Sequence, residues 1–333
     1  MVSSEELAAR VEAKLGVQLA AGLDSAGLTV KARGLRLSEA IENSVRRNGP
    51  STLMSELIHD FVVDRFLFKA APGSEARQRA PFTKALPPGL GEDMDEEFEL
   101  AISIWLVDEN ATLERLLTGE TAFVNAALAE HYGIPLRPVR GFEAVRLQTD
   151  TQMGLASRGA FLARYPRPPD RGLQLAEALR CTKIPPLPLA TPSPWDDPNR
   201  KPAKELIQSS YGDEQATCAA CHQAYVGYGI ALDGYDELGR YAPVRNGYTV
   251  DTSYSMSLDP ENSVDFSGPL ELGRALSASS TVRECLVERF VERLGLNALS
   301  EAELRCVLTA FGQRNASFSS LLALLAPRLI DAE

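Results

Sequence analysis

Thr217-Cys218-Ala219-Ala220-Cys221-His222 is the stretch on which the reading of this chain turns. Its two cysteines fall within one helical turn, so both sulfurs can reach the vinyl groups of a single porphyrin. The histidine that follows projects its imidazole to the iron as proximal ligand. The other nitrogen of that ring then needs a hydrogen-bond partner, commonly a backbone carbonyl, to fix the ring plane. The pattern predicts one covalent haem c, attached through Cys218 and Cys221 and ligated by His222. A zinc half-site would want two more ligands, and the other cysteines and histidines show no second paired spacing. A redox dithiol would open a helix in a βαβ setting, which the pattern here does not suggest.

Outward from the motif the chain reads as mainly α. Leu53, Leu57, Ile58, Phe61, Val62, Phe66 and Leu67 form an apolar stripe at helical period over Thr52–Phe68. A second helical stretch covers Phe98–Leu117, with a break or new N-cap at Asn110 and Thr112. A third runs from Thr121 to His131 and stops at Gly133 and Pro135. Residues 142–147 suggest a short strand, and Gly172–Cys181 a helix. The span Lys183–Lys201 holds six prolines, so it cannot be a regular element and reads as an extended strap. A helix over Ala203–Tyr211 leads into the motif, and 242–268 is polar and turn-rich. Helices over Leu270–Ala278, Val282–Leu294 and Glu301–Leu329, the last broken near Asn315, close the chain. The acidic run Glu92–Glu99 opens a helix and reads as a solvated start that suits the helix dipole.

The composition is that of a globular protein, 44% hydrophobic and 24% charged. The net charge of −11, with no basic stripe, argues against nucleic-acid binding, which needs concentrated positive charge. It suits simple solubility, with the steering of a basic redox partner as the alternative. No apolar run approaches the ~18–20 residues of a transmembrane helix. Met1–Leu7 lacks a basic segment followed by an apolar one. Because haem c is normally attached outside the cytoplasm, we expect a mature form located in the periplasm, at the cell surface or secreted. Of the five cysteines, Cys285 and Cys306 fall on consecutive terminal helices. A disulfide between them would cross-link that hairpin, worth about 3 kcal/mol by chain entropy, and leave Cys181 as an apolar thiol. Two buried thiols are the alternative.

Motifs around the haem segment resemble planctomycete and myxobacterial cytochrome c-like proteins built from three consecutive domains of unknown function. Leu116–Asn125 and His131-Tyr-Gly-Ile-Pro135 resemble the end of the first domain. Gly154-Leu-Ala-Ser-Arg-Gly-Ala-Phe-Leu162, Arg171-Gly172 and the proline strap resemble the start of the second, with Gly229, Leu232, Tyr235, Asp236 and Gly239-Arg240 at the family's spacing after the motif. Val250-Asp251, Phe266–Leu272, Cys285 and the Phe318 helix resemble the third. The resemblance covers roughly residues 45–330. It departs at Val226-Gly227, where the family usually has Asp-Pro and where the turn on the proximal side must therefore differ. It implies haem binding and an extracytoplasmic location, not a reaction.

The expected architecture is a helical N-terminal domain over 1–136, a cytochrome c-like haem-binding segment over 137–245, and a C-terminal helical domain over 246–333 ending in a hairpin. The second axial ligand is open between His131, which ends a helix beside a Gly-Ile-Pro turn, and Met256, which follows the proximal histidine in a loop. His59, within an amphipathic helix, and Met153 are weaker candidates. A closed iron suits electron transfer to a redox protein partner. An open one suits a peroxidase-like or oxidative haem enzyme, and a structural haem would suit a non-catalytic accessory module.

Overall fold

The structure is a computed structural model. It describes residues 4–17, 19, 36–41, 43–45, 51–68, 86–107, 111–135, 141–147, 149–182, 195, 197, 199–210 and 225–331. In chain order the elements are α1 (Ser4–Leu15), α2 (Thr52–Val63), α3 (Leu90–Val107), α4 (Leu113–Thr118), β1 (Thr121–Val124), α5 (Ala126–Tyr132), β2 (Glu143–Arg146), α6 (Gly159–Arg164), α7 (Pro168–Arg180), α8 (Ala203–Ser210) and α9 (Val226–Ala231). They continue with β3 (Val244–Arg245), β4 (Tyr248–Thr249), β5 (Ser253–Asp259), β6 (Asn262–Ser267), α10 (Pro269–Ala278), α11 (Ser280–Arg293), α12 (Glu301–Gln313) and α13 (Phe318–Asp331). The protein is mainly helical, with three small antiparallel sheets pairing β1 with β2, β3 with β4 and β5 with β6 among the described residues. No helix among them is long and apolar enough to cross a membrane.

The chain divides into two compact units. The first comprises Met1–Val63, Ser103–Arg115 and Arg283–Glu333. Its core is an aromatic cluster about Phe318, whose ring centroid lies 5.8 Å from Phe61, 5.7 Å from Trp105, and 6.0 Å from both Phe290 and Phe311. Tilted and edge-to-face contacts of this kind add to the burial of large apolar area. Trp105 donates its indole N–H to Thr112 O at 2.7 Å. The helix break expected near residue 110 is present, with Ala111 at φ 49°, and that near Asn315 falls at Asn315 and Ala316, φ 55° and 48°. Ser300 and Glu303 form a capping box that starts α12.

The second unit comprises Asp64–Ile102 and Leu116–Val282. The stretch expected as one helix over 121–131 is instead strand and helix. Residues 121–124 alternate in burial and pair with 143–146, and Asn125 then caps α5 by accepting from Leu128 N. The polar stretch 242–268 holds two hairpins. In β5 the buried Met256 and Leu258 alternate with exposed serines, so only one face of the strand is apolar.

Helices α7 and α9 approach until their backbones touch. A Cβ placed on Gly172 would lie 2.3 Å from Tyr225 O, and one on Gly229 would lie 2.1 Å from Pro168 O. Any side chain at either position must push the helices apart. Gly172→Ala is expected to cost about 2–3 kcal/mol, the range of overpacked cores, in equilibrium denaturation. Gly91→Ala, whose new methyl meets only Leu86 Cδ1 at 3.8 Å, should be neutral or slightly stabilising.

Candidate functional site

Cys218, Cys221 and His222 lie outside the described residues, and so does most of the proline strap. The structure describes the two flanks of the motif, α8 before it and α9 after it, and what holds them. Asp233, fully buried just past α9, is the clasp. Its Oδ2 accepts from Ala203 N at 2.6 Å, the first residue of α8, and its Oδ1 accepts from the Arg200 and Arg245 guanidinium groups. The intervening chain is thus closed at its base by one carboxylate. Arg200 stacks on Trp195 at 5.5 Å, and burial pulls its pKa down against the opposing charge of Asp233. A second tie holds α8, because Lys204 Nζ donates to Asp251 Oδ2 at 2.6 Å and to Ser253 Oγ at 2.9 Å. Hydrogen bonds from Lys204 and Ser253 hold the Asp251 carboxyl down at about 2.

Behind this clasp lies a buried polar frame. Arg171, with no exposed surface, donates from Nε to Tyr165 O at 2.8 Å and from one terminal nitrogen to Leu232 O and Tyr235 O, both at 2.9 Å. The other terminal nitrogen reaches Asp236 O at 2.6 Å and Leu162 O at 3.5 Å. Burial lowers its pKa to about 10, so it stays charged at neutral pH. Arg158 donates to Gln152 Oε1 and Gly119 O at 3.0 Å and to Thr121 O at 2.9 Å. Tyr235 donates to Thr151 O at 2.7 Å. Asp236 accepts from Leu238 N and Arg240 N, closing the turn.

The other candidates are placed as follows. His131, in the last turn of α5, directs Nε2 to Leu238 O at 2.8 Å, so the ring ties α5 to the turn after α9. Met256 is 5% exposed on β5, and its Sδ sits where a Cβ on Gly227 would stand, 2.6 Å from that position. The glycine that departs from the family pattern is what makes room for the thioether. His59, in the first unit, faces Asp60 with Nδ1 3.4 Å from Oδ1. Met153 is fully buried, and its amide donates to Ser157 Oγ. Among the described residues no group of three or more His, Cys, Asp or Glu is arranged to hold a metal ion.

The cysteine assignment requires correction. Cys306 is a free, exposed thiol, so the expected Cys285–Cys306 bridge does not form. Cys285 is 3% exposed on the core side of α11, whereas Cys306 lies on the solvent face of α12. Cys285 and Cys181 are both disulfide-bonded. The acidic run at the start of α3 is not wholly solvated either. Glu97 is 1% exposed and accepts from Tyr132 Oη at 2.7 Å. Sequence reasoning also passed over three buried polar atoms on the helices around the motif that have no hydrogen-bond partner of sound geometry: Arg180 Nε, Glu205 Oε2 and Tyr228 Oη.

Comparison with known families supplies names for two parts of this arrangement. Two domains of unknown function are found in the chain. Residues 13–134 match the PSD4 domain, DUF1592, and residues 152–244 match the PSCyt3 domain, DUF1588. The pair agrees with the resemblance to planctomycete cytochrome-like proteins, and the PSCyt3 match takes in Arg158, Arg171, Asp233 and the Cys218–His222 segment. No curated protein and no solved structure matches the chain.

Burial pushes the Glu97 carboxyl above its usual range, with the Arg158 charge and the Tyr132 hydrogen bond opposing the shift. A carboxyl raised on folding contributes stability that is complete below its unfolded pKa and is lost as pH rises through the folded value. Glu97→Gln keeps an acceptor for Tyr132 and removes the titration. The variant should therefore gain stability relative to wild type as pH rises above the usual carboxylate range, read as the midpoint of urea unfolding between pH 4 and 8.

Proposed function

We propose that this chain is a c-type haem protein of the space outside the cytoplasm, holding one covalent haem through Cys218 and Cys221 with His222 as proximal ligand. On this reading it passes single electrons through that haem to a redox protein partner. The observation that carries the proposal is the coincidence of the Cys-Ala-Ala-Cys-His motif with the PSCyt3 match over residues 152–244. The disulfide-bonded state of Cys181 and Cys285 supports an oxidising compartment, where such bonds persist. The division into 1–136, 137–245 and 246–333 is part of the proposal, with the haem in the middle portion.

The described surroundings suit the group. Buried polar atoms await partners at Arg180 and Tyr228, and the flanks of the motif are fixed at Asp233. Bound haem would supply a one-electron centre, while the chain fixes its position and excludes water from α9, which is buried along its length. A second reading, a haem enzyme with an open iron position, is favoured by one observation. His131 already holds Leu238 O and Met256 is seated on Gly227, so either would have to leave a made contact to become the second axial ligand.

Production with a haem-attachment system should give a protein that keeps its haem under denaturing electrophoresis and loses it in Cys218→Ala/Cys221→Ala. A low-spin visible spectrum indifferent to carbon monoxide supports the carrier. In that case whichever of His131→Ala and Met256→Leu turns the spectrum high-spin names the ligand. A high-spin wild type that binds carbon monoxide supports the enzyme, and a wild type with no covalent haem sinks both.

A further inference from the structure

The strongest unassigned feature is a pair of buried donors at one end of the α7–α9 contact. The two helices run antiparallel, since Pro168 lies against Gly229 and Gly172 against Tyr225. From Gly172, α7 continues eight residues to Arg180, which at 1.5 Å per residue carries it about 12 Å beyond Tyr225. That is the N-terminal end of α9, and in sequence His222 stands three residues before Tyr225. Tyr228, with no exposed surface, rises from the first turn of α9. Side chains lean toward the N-terminus of their helix, so its phenol is carried toward the same end.

Arg180 is anchored there by one terminal nitrogen, which donates to Ser257 O at 3.2 Å. Its Nε–H and the Tyr228 hydroxyl are buried without a hydrogen bond of sound geometry, and the Arg180 side chain stands within hydrogen-bonding reach of the phenol, whose oxygen it can meet but whose O–H it cannot accept. Asp259 is the carboxylate whose charge also reaches Tyr228, but its Oδ1 is already occupied by Ser279 Oγ, Ser280 Oγ and Thr281 N. Two buried donors, one of them cationic, therefore lie side by side with no acceptor of sound geometry among the described residues. Leaving such groups unmet is costly, and a carboxylate is the acceptor that a guanidinium and a hydroxyl bind most strongly.

Resting on the haem reading above, we propose that Arg180 and Tyr228 form the anchor for a propionate carboxylate of the haem. Propionates are the charged groups at the rim of that cofactor, and a buried one needs a cation and hydrogen bonds to remain ionised. The pair is a binding site for the cofactor rather than a ligand to its iron.

The test compares Tyr228→Phe, Arg180→Gln and Arg180→Lys in the haem-bearing protein and in the full chain carrying Cys218→Ala/Cys221→Ala. In the haem-bearing protein Tyr228→Phe should lower the Tm. In the haem-free chain, where it deletes an unmet hydroxyl, it should leave the Tm unchanged or raise it. Arg180→Gln should shift the haem midpoint potential downward, because a positive charge beside an anionic group is lost, and Arg180→Lys should restore most of the shift. Equal Tm changes with and without haem, or a midpoint potential unmoved by Arg180→Gln, would overturn the anchor and assign the two donors to water. Absence of covalent haem from the wild type would overturn the haem reading and the anchor together, an outcome that haem staining separates from the others.

Discussion

The guanidinium of Arg171 has no carboxylate against it among the described residues, yet it is fully buried. Its N–H groups go to the carbonyls of Leu162, Tyr165, Leu232, Tyr235 and Asp236. Taking a cation out of water costs several kcal/mol, and only a full set of charge-assisted hydrogen bonds offsets it. The planar fork of an arginine can serve carbonyls in several directions, which the three donors of a lysine cannot reproduce. The consequence is geometric. The end of α6, the start of α7 and the turn after α9 are tied to one point, and the chain leaves α9 in one direction only. The next residue of α7, Gly172, then lets Tyr225 O come within 2.3 Å of where a side chain would begin. A cation that organises a turn and a glycine that permits helix contact are adjacent because both serve the same approach.

Several residues that carry the resemblance in the second unit are members of this frame. Gly154 has φ 50° and stands where a Cβ would fall 1.9 Å from Leu116 O. Gly159 admits the Tyr132 hydroxyl, Arg158 fixes carbonyls ahead of β1, and Gly239 has φ 80° with its Cβ position 3.2 Å from Gly159 Cα. Tyr235 and Asp236 close the turn that Arg171 holds. None of these side chains carries chemistry of its own. They fix the base from which the Cys218–His222 segment departs and returns, with Asp233 as the point of closure. On the proposed haem reading the site would depend on a rigid support, and the support described is polar and buried rather than apolar.

The helices were legible because burial imposes a period. Met54, Ile58, Phe61 and Val62 lie inside in α2 as their spacing requires. The breaks near 110 and 315 were legible from asparagine and threonine within otherwise apolar stretches. The β5–β6 hairpin was hidden, since Ser253, Ser255 and Ser257 on its outer side mask the alternation, and Met256 reads in isolation as a loop methionine. Glu97 was hidden within a run of acids, and only the arrival of Tyr132 from another element distinguishes it from its neighbours. Cysteine spacing misled for a related reason. Sequence distance says which thiols share neighbouring helices but not which face of each helix they occupy, and Cys306 faces water.

The electrostatics of the frame bear on the haem reading. Over the whole chain acids exceed bases by eleven, but the interior beside the motif's flanks is weighted the other way. Arg171, Arg200 and Arg245 gather about Asp233, and the charges of the other two guanidinium groups and of the carboxylates of Asp233 and Asp236 all register at Arg171. Buried charges are screened less than surface ones, so a redox centre held near α9, as proposed, would feel these guanidinium groups more than the distributed acidic exterior. Positive charge favours the reduced iron, which carries one charge fewer. On the proposed reading, an acidic surface to draw a basic partner and a basic interior to hold an electron would be compatible demands, because the first acts through solvent over many ångströms and the second through protein over a few.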